Sequence, residues 1–312
     1  MAQVQRTSAD LYLGIDIGGS SIKYGIGNCQ HGLLFTEAIP VNATNLEEFR
    51  CLGQTMVERL CHRELWRRVA AIGIGSPGMI DQRQAKIIGT NPNLKFWSGC
   101  SPALLMPQSL LLPVFYENDA NLMALAEAVS NPQDEVLIGI TIGSGIGGGI
   151  VIGGKVFHGA RGFAMEIGHT ICEPHQELCN CGKRGCLEAY ASLNGMRNRL
   201  GDLGIDAGQL NLQDILKRRE NDPLVMQVVN KGIDCLAMAL ANLITILNPD
   251  ALILGGGGSE IPEYPTELLF SRIKQYLDPV FAESVRLAKA RLGNQAGVMG
   301  AIALAEKSIA QQ

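Results

Sequence analysis

Apolar and polar positions along the chain predict short strands in its first half and long helices in its second. Leu11 to Ile17 reads as a buried strand that runs straight into Gly18-Gly19-Ser20-Ser21. Ile22 to Ile26 and Leu33 to Ile39 read as further strands joined by tight turns, which together predict a hairpin sheet. From Asn45 to Trp66 the residues Leu46, Phe49, Leu52, Met56, Val57 and Leu60 recur at helical spacing. Val69 to Gly75 is apolar enough for a buried strand and ends at Ser76-Pro77-Gly78. Residues 89–113 contain repeated prolines and no period, so they predict mostly loop. A short strand, Val114 to Tyr116, leads through Asn118-Asp119 into a helix over Ala120 to Val129. Val136 to Ile142 is another strand, and the glycine-rich stretch 143–154 turns back on it. A Cys/His-rich loop fills 169–186. Helices are predicted over 187–200, 210–219, 223–247, 262–277 and 295–309, interrupted by one buried strand, Ala251 to Leu254, before Gly255 to Gly258.

The chain echoes itself. Leu13-Gly14-Ile15-Asp16-Ile17-Gly18-Gly19 resembles Ile138-Gly139-Ile140-Thr141-Ile142-Gly143-Ser144, each a buried strand feeding a glycine turn and a returning strand. Two copies of one supersecondary unit predict two lobes of like fold facing one cleft. A length of 312 residues suits that division. The expected lobes are 1–119 and 120–294, with the C-terminal helix, about 295–312, packing back on the first.

Composition narrows the function. With 46% apolar and 18% charged residues, a disordered or acidic-tail protein is excluded. A net charge of −4 leaves no basic field, so nucleic acid is not an expected partner. No apolar run reads as long enough to cross a bilayer and no basic-then-apolar leader opens the chain, so no membrane partner and a cytoplasmic location are expected. Nine cysteines is an odd count in a chain too large to need disulfide staples, which points to reduced thiols.

Three groups of residues carry candidate chemistry. The glycine clusters at 18–19, 143–149 and 255–258 each follow a buried strand. Each is either a tight hairpin turn or a ring of N–H groups around a phosphate. Gly143-Ser144-Gly145-Ile146-Gly147-Gly148 contains G-x-G-x-x-G, but a strand follows it, which argues against a dinucleotide fold. His169, Cys179, Cys181 and Cys186 have the spacing of a structural zinc site made of one histidine and three cysteines, with His175 as a competing ligand and Cys172 as a neighbour. Cys29, Cys51, Cys61, Cys100 and Cys235 are scattered and read as core residues. Among the carboxylates, Asp119 at a strand end is either a catalytic base or an ordinary helix N-cap. Asp16 lies inside an apolar strand and predicts a Mg2+ or a polar network. Glu166 and Glu188 flank the Cys/His loop, where they are either polyol ligands or exposed surface acids.

Asp16-Ile17-Gly18-Gly19-Ser20, Asn118-Asp119-Ala120-Asn121, Glu166-Ile167-Gly168-His169 and Cys179-Asn180-Cys181-Gly182-Lys183-Arg184-Gly185-Cys186-Leu187-Glu188 together resemble the ROK family (repressor, open reading frame, kinase) of bacterial sugar kinases over nearly the whole chain. The resemblance implies the α/β, two-lobed actin-like ATPase fold of ribonuclease H-like type, with duplicated β-sheet units, and a homodimer. It implies ATP-dependent phosphorylation of a hexose, commonly at the 6-hydroxyl, with Asp119 as general base. Gly78, Asn93, Asn118, Glu166, His169 and Glu188 would hold the sugar. Gly18, Gly19, Ser20, Ser144 and Gly145 would line the phosphates, with Asp16 beside them, and Gly256 and Gly257 would lie against the nucleoside. His169 would place one ring nitrogen on zinc and turn the other towards the sugar.

The family often has Thr-Lys after the two glycines, where this chain has Ser20-Ser21, and Lys23 shares a strand face with Ser21. For the sugar, Gly256 to Pro265 is similar to the allose kinase branch, whereas Ile167 to His175 is closer to N-acetylmannosamine kinases. The expectation is D-allose or a broad aldohexose such as glucose, with an N-acetylmannosamine, N-acetylglucosamine or fructose kinase as alternative. Rival classes are a sugar-responsive repressor and a non-catalytic sugar-binding protein. The first strand near residue 11 leaves no room ahead of it for a helix-turn-helix, and Asp119 weighs against a mere binder.

Overall fold

The computed structural model describes residues 10–89 and 94–311. Internal contacts divide the chain into two units, Met1–Ser130 with His158–Ala164 and Gln295–Gln312, and Asn131–Phe157 with Met165–Asn294.

The first unit is built on a five-stranded sheet. Strands β1 (Leu11–Ile17), β2 (Ser21–Asn28) and β3 (Gly32–Pro40) form the antiparallel meander that the sequence predicts. Helix α1 (Leu46–Cys61) starts at Asn45, whose side-chain oxygen accepts the Glu48 N–H at 3.0 Å. It stops earlier than its period suggests. Arg63 is extended, and Glu64–Arg68 forms a separate 3-10 turn that delivers the chain into β4 (Val69–Ser76). A small hairpin of β5 (Met79–Asp81) and β6 (Lys86–Ile88) follows, with strands too short to show an alternation. Then come β7 (Val114–Asn118) and α2 (Asp119–Ser130). The strand order is β3-β2-β1-β4-β7, with β1, β4 and β7 parallel.

The second unit repeats this plan. Strands β8 (Val136–Ile142), β9 (Ile146–Ile152) and β10 (Lys155–Val156) are antiparallel neighbours. The helix predicted over 187–200 is broken into α3 (Glu188–Ala191) and α4 (Leu193–Asp202). Ser192 between them is extended, donates its hydroxyl to the Glu188 carbonyl at 2.7 Å and accepts the Gly195 N–H at 3.0 Å. Helices α5 (Leu212–Arg218) and α6 (Pro223–Leu247) precede β11 (Ala251–Gly255), α7 (Thr266–Tyr276), α8 (Pro279–Ser284) and β12 (Arg286–Lys289). Helix α7 begins later than expected, because Pro262 and Pro265 shape the turns before it, with Tyr264 buried between them. Sheet order is β10-β9-β8-β11-β12, with β8, β11 and β12 parallel. The echo seen in the sequence is thus a duplication of a whole sheet, as an actin-like fold requires.

By length and composition alone α6 is apolar enough to cross a bilayer, contrary to the expectation that no run reaches that length. Val225, Val229, Leu236, Leu240 and Ile244 lie in the core of the second unit, which accounts for the composition of α6 without a membrane.

Helix α9 (Ala296–Ala310) returns to the first unit and lies on β1 and β4. It does so through bare backbone. A Cβ at Gly14 would collide with the Val298 carbonyl, one at Gly73 with the Ala301 carbonyl, and one at Gly300 with the Leu122 carbonyl of α2. That last contact keeps α2 with the first unit, so the division falls after Ser130 and not at Asp119. The first unit also reclaims 158–164 from the stretch expected in the second. Overfilling this seat should be costly. Gly73→Val is expected to lower unfolding stability by about 1–3 kcal/mol or more, read as a lower urea midpoint. An unchanged midpoint would show that α9 does not depend on this contact.

Candidate functional site

Each expected site residue among the described residues can be traced to the element that holds it. Asp16 is the penultimate residue of β1 and stands opposite Lys23 of β2 in the antiparallel register. Its carboxylate lies against Gly297 in the first turn of α9, where a Cβ would overlap it, and near Gly75 of β4, where a Cβ would crowd the Leu122 side chain. Burial raises the Asp16 carboxyl above its ordinary value, and Lys23 opposes that rise. A basic group therefore stands beside Asp16, although the family's usual lysine is missing from the turn. Gly18, Gly19 and Ser20 form that turn, closed by a Gly18 N–H bond to the Ser21 carbonyl at 2.9 Å. Gly19 and Ser20 are exposed.

Asp119 opens α2, directly after β7, and its carboxylate accepts the Ala120 N–H at 2.9 Å. Asn118 is the capping residue. Its side-chain oxygen accepts from Ala120 at 2.9 Å and from Asn121 at 3.2 Å, while its amide donates to the Gly78 carbonyl at 3.1 Å. Gly78 can offer that carbonyl because it adopts φ +98°, a conformation open to glycine. Gly78, Asn118 and Asp119 are thus joined in one hydrogen-bonded corner, in which Asn118 caps α2. Asn93, expected to contact the sugar, lies outside the described residues.

In the second unit the β8–β9 turn and the turn after β11 are brought together. Gly258 donates to the Ile142 carbonyl at 2.8 Å, and Gly256, at φ +80°, has Ile142 backbone where a Cβ would stand. Gly143 and Gly257 face open space. Ser144, Gly145, Gly256 and Gly257 therefore cluster at the ends of the parallel strands β8 and β11. Glu188, at the start of α3, accepts the Ile146 N–H at 3.0 Å and fits against Gly145, where no Cβ has room. It braces the β8–β9 turn, a structural task the sequence does not announce.

Glu166 and His169 bracket a 3-10 turn, Ile167–His169. Gly168 seats that turn on the Ile146 carbonyl of β9. Loss of hydration raises the Glu166 carboxyl; Glu188 adds to the rise and His169 opposes it, so the three side chains sense one another.

The donor atoms of His169, Cys179, Cys181 and Cys186 all lie within 4.8 Å of one another. Cys179 Sγ is 3.7 Å from His169 Nδ1, and Cys181 Sγ is 3.6 Å from Cys186 Sγ. A tetrahedral zinc with Zn–S bonds of about 2.3 Å has S–S edges of about 3.8 Å, so the donor set fits such an ion. Gly182 and Gly185, at φ +86° and +83°, let the loop fold back between ligands. Burial pushes the Cys186 thiol up to about 12 and raises Cys179 as well, so holding these thiolates near neutral pH calls for a cation. With Nδ1 turned to the sulfurs, His169 keeps Nε2 for another partner.

Two expectations about cysteines change. Cys51 and Cys61 are exposed on the solvent face of α1, and Cys29 and Cys100 are half-buried, so of the five scattered cysteines only Cys235 is a core residue. Periodicity places Phe49, Met56 and Leu60 inside and leaves positions 51 and 61 outside. Cys172 stands outside the four-donor group, and its thiol interacts with that of Cys235.

Sequence reasoning missed Glu117 and His158. Glu117 is buried, and one of its carboxylate oxygens meets His158 Nε2. The available signal was a charged residue at the end of an otherwise apolar strand, the same signal that marks Asp16.

The ROK family profile matches residues 12–308. A glucokinase of Thermotoga maritima is 30% identical over 95% of this chain and 98% of its own length. An N-acetyl-D-glucosamine kinase of Haemophilus influenzae is also 30% identical, over 94% of this chain and 99% of its own. A crystal structure of a ROK family glucokinase from Streptomyces griseus in complex with glucose and AMPPNP superposes with a TM-score of 0.78 at 28% identity, covering 95% of this chain and 99% of that one.

Proposed function

Because the chain belongs to the ROK family, we propose that it is an ATP-dependent sugar kinase that phosphorylates the 6-hydroxyl of an aldohexose, glucose being the leading candidate. The observation that carries this reading is the Gly78–Asn118–Asp119 corner. It presents a carboxylate at a strand end, fixed by its own capping bonds, in a chain related to kinases named for glucose and for N-acetylglucosamine.

Asp119 accepts the proton of the 6-hydroxyl as its oxygen attacks the γ-phosphorus, and ADP leaves. Asp16, beside Lys23, is the carboxylate suited to a bound Mg2+. That ion supplies charge neutralisation on the phosphates. Gly19, Ser20, Ser144 and Gly145 offer backbone N–H groups to phosphate oxygens, Gly18 shapes the first of these turns through its bond to Ser21, and Gly257, beside Gly256, leaves room for the nucleoside. Asn93, Asn118, Gly78, Glu166, Glu188 and the Nε2–H of His169 are the sugar contacts. His169, Cys179, Cys181 and Cys186 would hold a zinc ion, which would fix the His169 ring and its tautomer. As in the family pattern, the molecule is a cytoplasmic homodimer.

The likeness of Gly256 to Pro265 to allose kinases carries little weight for substrate. Its prolines start α7, and its tyrosine is buried in the core. N-acetyl-D-glucosamine is the second substrate to consider, on the strength of the Haemophilus relative.

Asp119→Asn is expected to lower sugar-dependent ADP formation by about 100-fold or more while calorimetric glucose affinity stays near wild type. Wild-type turnover in that variant would remove Asp119 as base. For the metal, elemental analysis of the purified chain is expected to find about one zinc per chain, lost in Cys181→Ser. A zinc-free wild type would contradict the proposed clip.

A further inference from the structure

Glu117 is a buried carboxylate next to the proposed base, and none of the sugar or nucleotide contacts uses it. It ends in a dense set of partners. Oε1 accepts the Asn118 N–H at 2.8 Å and the Asn121 side-chain amide at 3.0 Å. Oε2 meets Gln82 Nε2 at 3.5 Å and, more closely, His158 Nε2. The Glu117 side chain is 2% exposed, so its charge requires this compensation.

His158 is itself held in place. It begins the segment 158–164, which the first unit reclaims. The Gly162 and Ala164 N–H groups close back on the His158 carbonyl at 3.1 and 3.2 Å. Gly162, at φ +101°, lies against the Ile80 carbonyl with no room for a Cβ, and the Arg83 guanidinium donates to the Ala160 carbonyl at 3.1 Å. The β5–β6 hairpin therefore pins the segment, the segment presents His158, and His158 meets Glu117. Glu117 in turn grips residues 118 and 121, on either side of Asp119.

We propose that the Glu117–His158 pair is a positioning device for Asp119, with His158 acting as an imidazolium that locks Glu117 against the Asn118–Asn121 turn. The proposal rests on the reading of Asp119 as base. His158 touches no reacting atom in this scheme; it acts through Glu117.

A pH dependence follows. The hydrogen bond to Glu117 raises His158 above its ordinary value, against a smaller opposing effect of burial. Other charged groups on the packed elements are Asp119 of α2, Asp81, Arg83 and Lys86 of the hairpin, and Arg161 of its own segment. Asp81 is engaged by the Arg83 and Gln84 N–H groups, and among all of these Glu117 alone acts on His158. With the folded value raised, the charged pair is complete below the unfolded value and is lost as pH rises through the folded one. Turnover should therefore decline on the alkaline side as His158 loses its proton.

The test combines kinetics with a readout independent of activity. In the full chain, the His158 ring titration followed by proton NMR is expected to lie above 6.5, the ordinary value, and to fall in Glu117→Gln. His158→Ala is expected to lower kcat by about 10- to 100-fold, the scale of a small misplacement of a catalytic group, with sugar KM little changed. His158→Gln, which keeps a donor but no charge, should recover only part of kcat, to about the level wild type reaches above the His158 titration, and flatten the alkaline decline. A His158 titration at its ordinary value, or a His158→Ala enzyme with wild-type kcat and pH profile, would overturn the proposal. Asp119→Asn run alongside separates the two readings. Full activity there removes the base, whereas an inactive Asp119→Asn with an unaffected His158→Ala removes only the positioning device.

Discussion

Backbone packed on backbone, with no side chain between, is the contact on which this molecule's arrangement depends. Gly14, Gly73 and Gly300 let α9 lie directly on the first sheet and on α2. Gly297 clears the space occupied by the Asp16 carboxylate. In the second unit, Gly168 seats the turn carrying Glu166 and His169 on β9, and Gly256 and Gly258 seat the turn after β11 on Ile142. Gly145 accommodates Glu188. At each of these places a single methyl group would displace either a carbonyl or a carboxylate. The same residue type thus sets the fold and spaces the candidate chemistry.

On this scaffold the charged groups are handled by local compensation. Asp16 is offset by Lys23, Glu117 by His158 and two amides, and Glu188 by a backbone N–H. The thiols at 179, 181 and 186 and the ring of His169 form a donor set that could hold an ion; Cys179 and Cys186 are buried against the core of the second unit, and among the described residues the loop around them carries the isolated bridges Ile171 with Cys186 and Leu178 with Arg184.

Much of this was legible in the sequence, and the limits have physical causes. The strands with long apolar runs, the helix over α6 and the four-donor spacing all carry local signals, and the repeat between Leu13–Gly19 and Ile138–Ser144 exposed the duplicated sheet. Strands β5, β6 and β12 carry too few residues for an alternation to register. The break at Ser192 depends on a side-chain bond back to Glu188, which competes with helix continuation and leaves no trace in periodicity. Reading the glycine clusters as tight turns or phosphate turns missed their packing contacts, because what a glycine touches is settled by a partner far along the chain. For the same reason the pairing of Glu117 with His158 was invisible, the two lying 41 positions apart and meeting only after the 158–164 segment returns to the first unit.

The central claim is that this chain transfers phosphate from ATP to a sugar hydroxyl. The most direct test is ADP release by the full chain with ATP and Mg2+ in the presence of glucose, allose, mannose, fructose, N-acetylglucosamine or N-acetylmannosamine, with 6-deoxyglucose as a control lacking the acceptor. The account predicts sugar-dependent ADP release, fastest with an aldohexose and absent with 6-deoxyglucose. Release no greater than the sugar-free background with every sugar would contradict it.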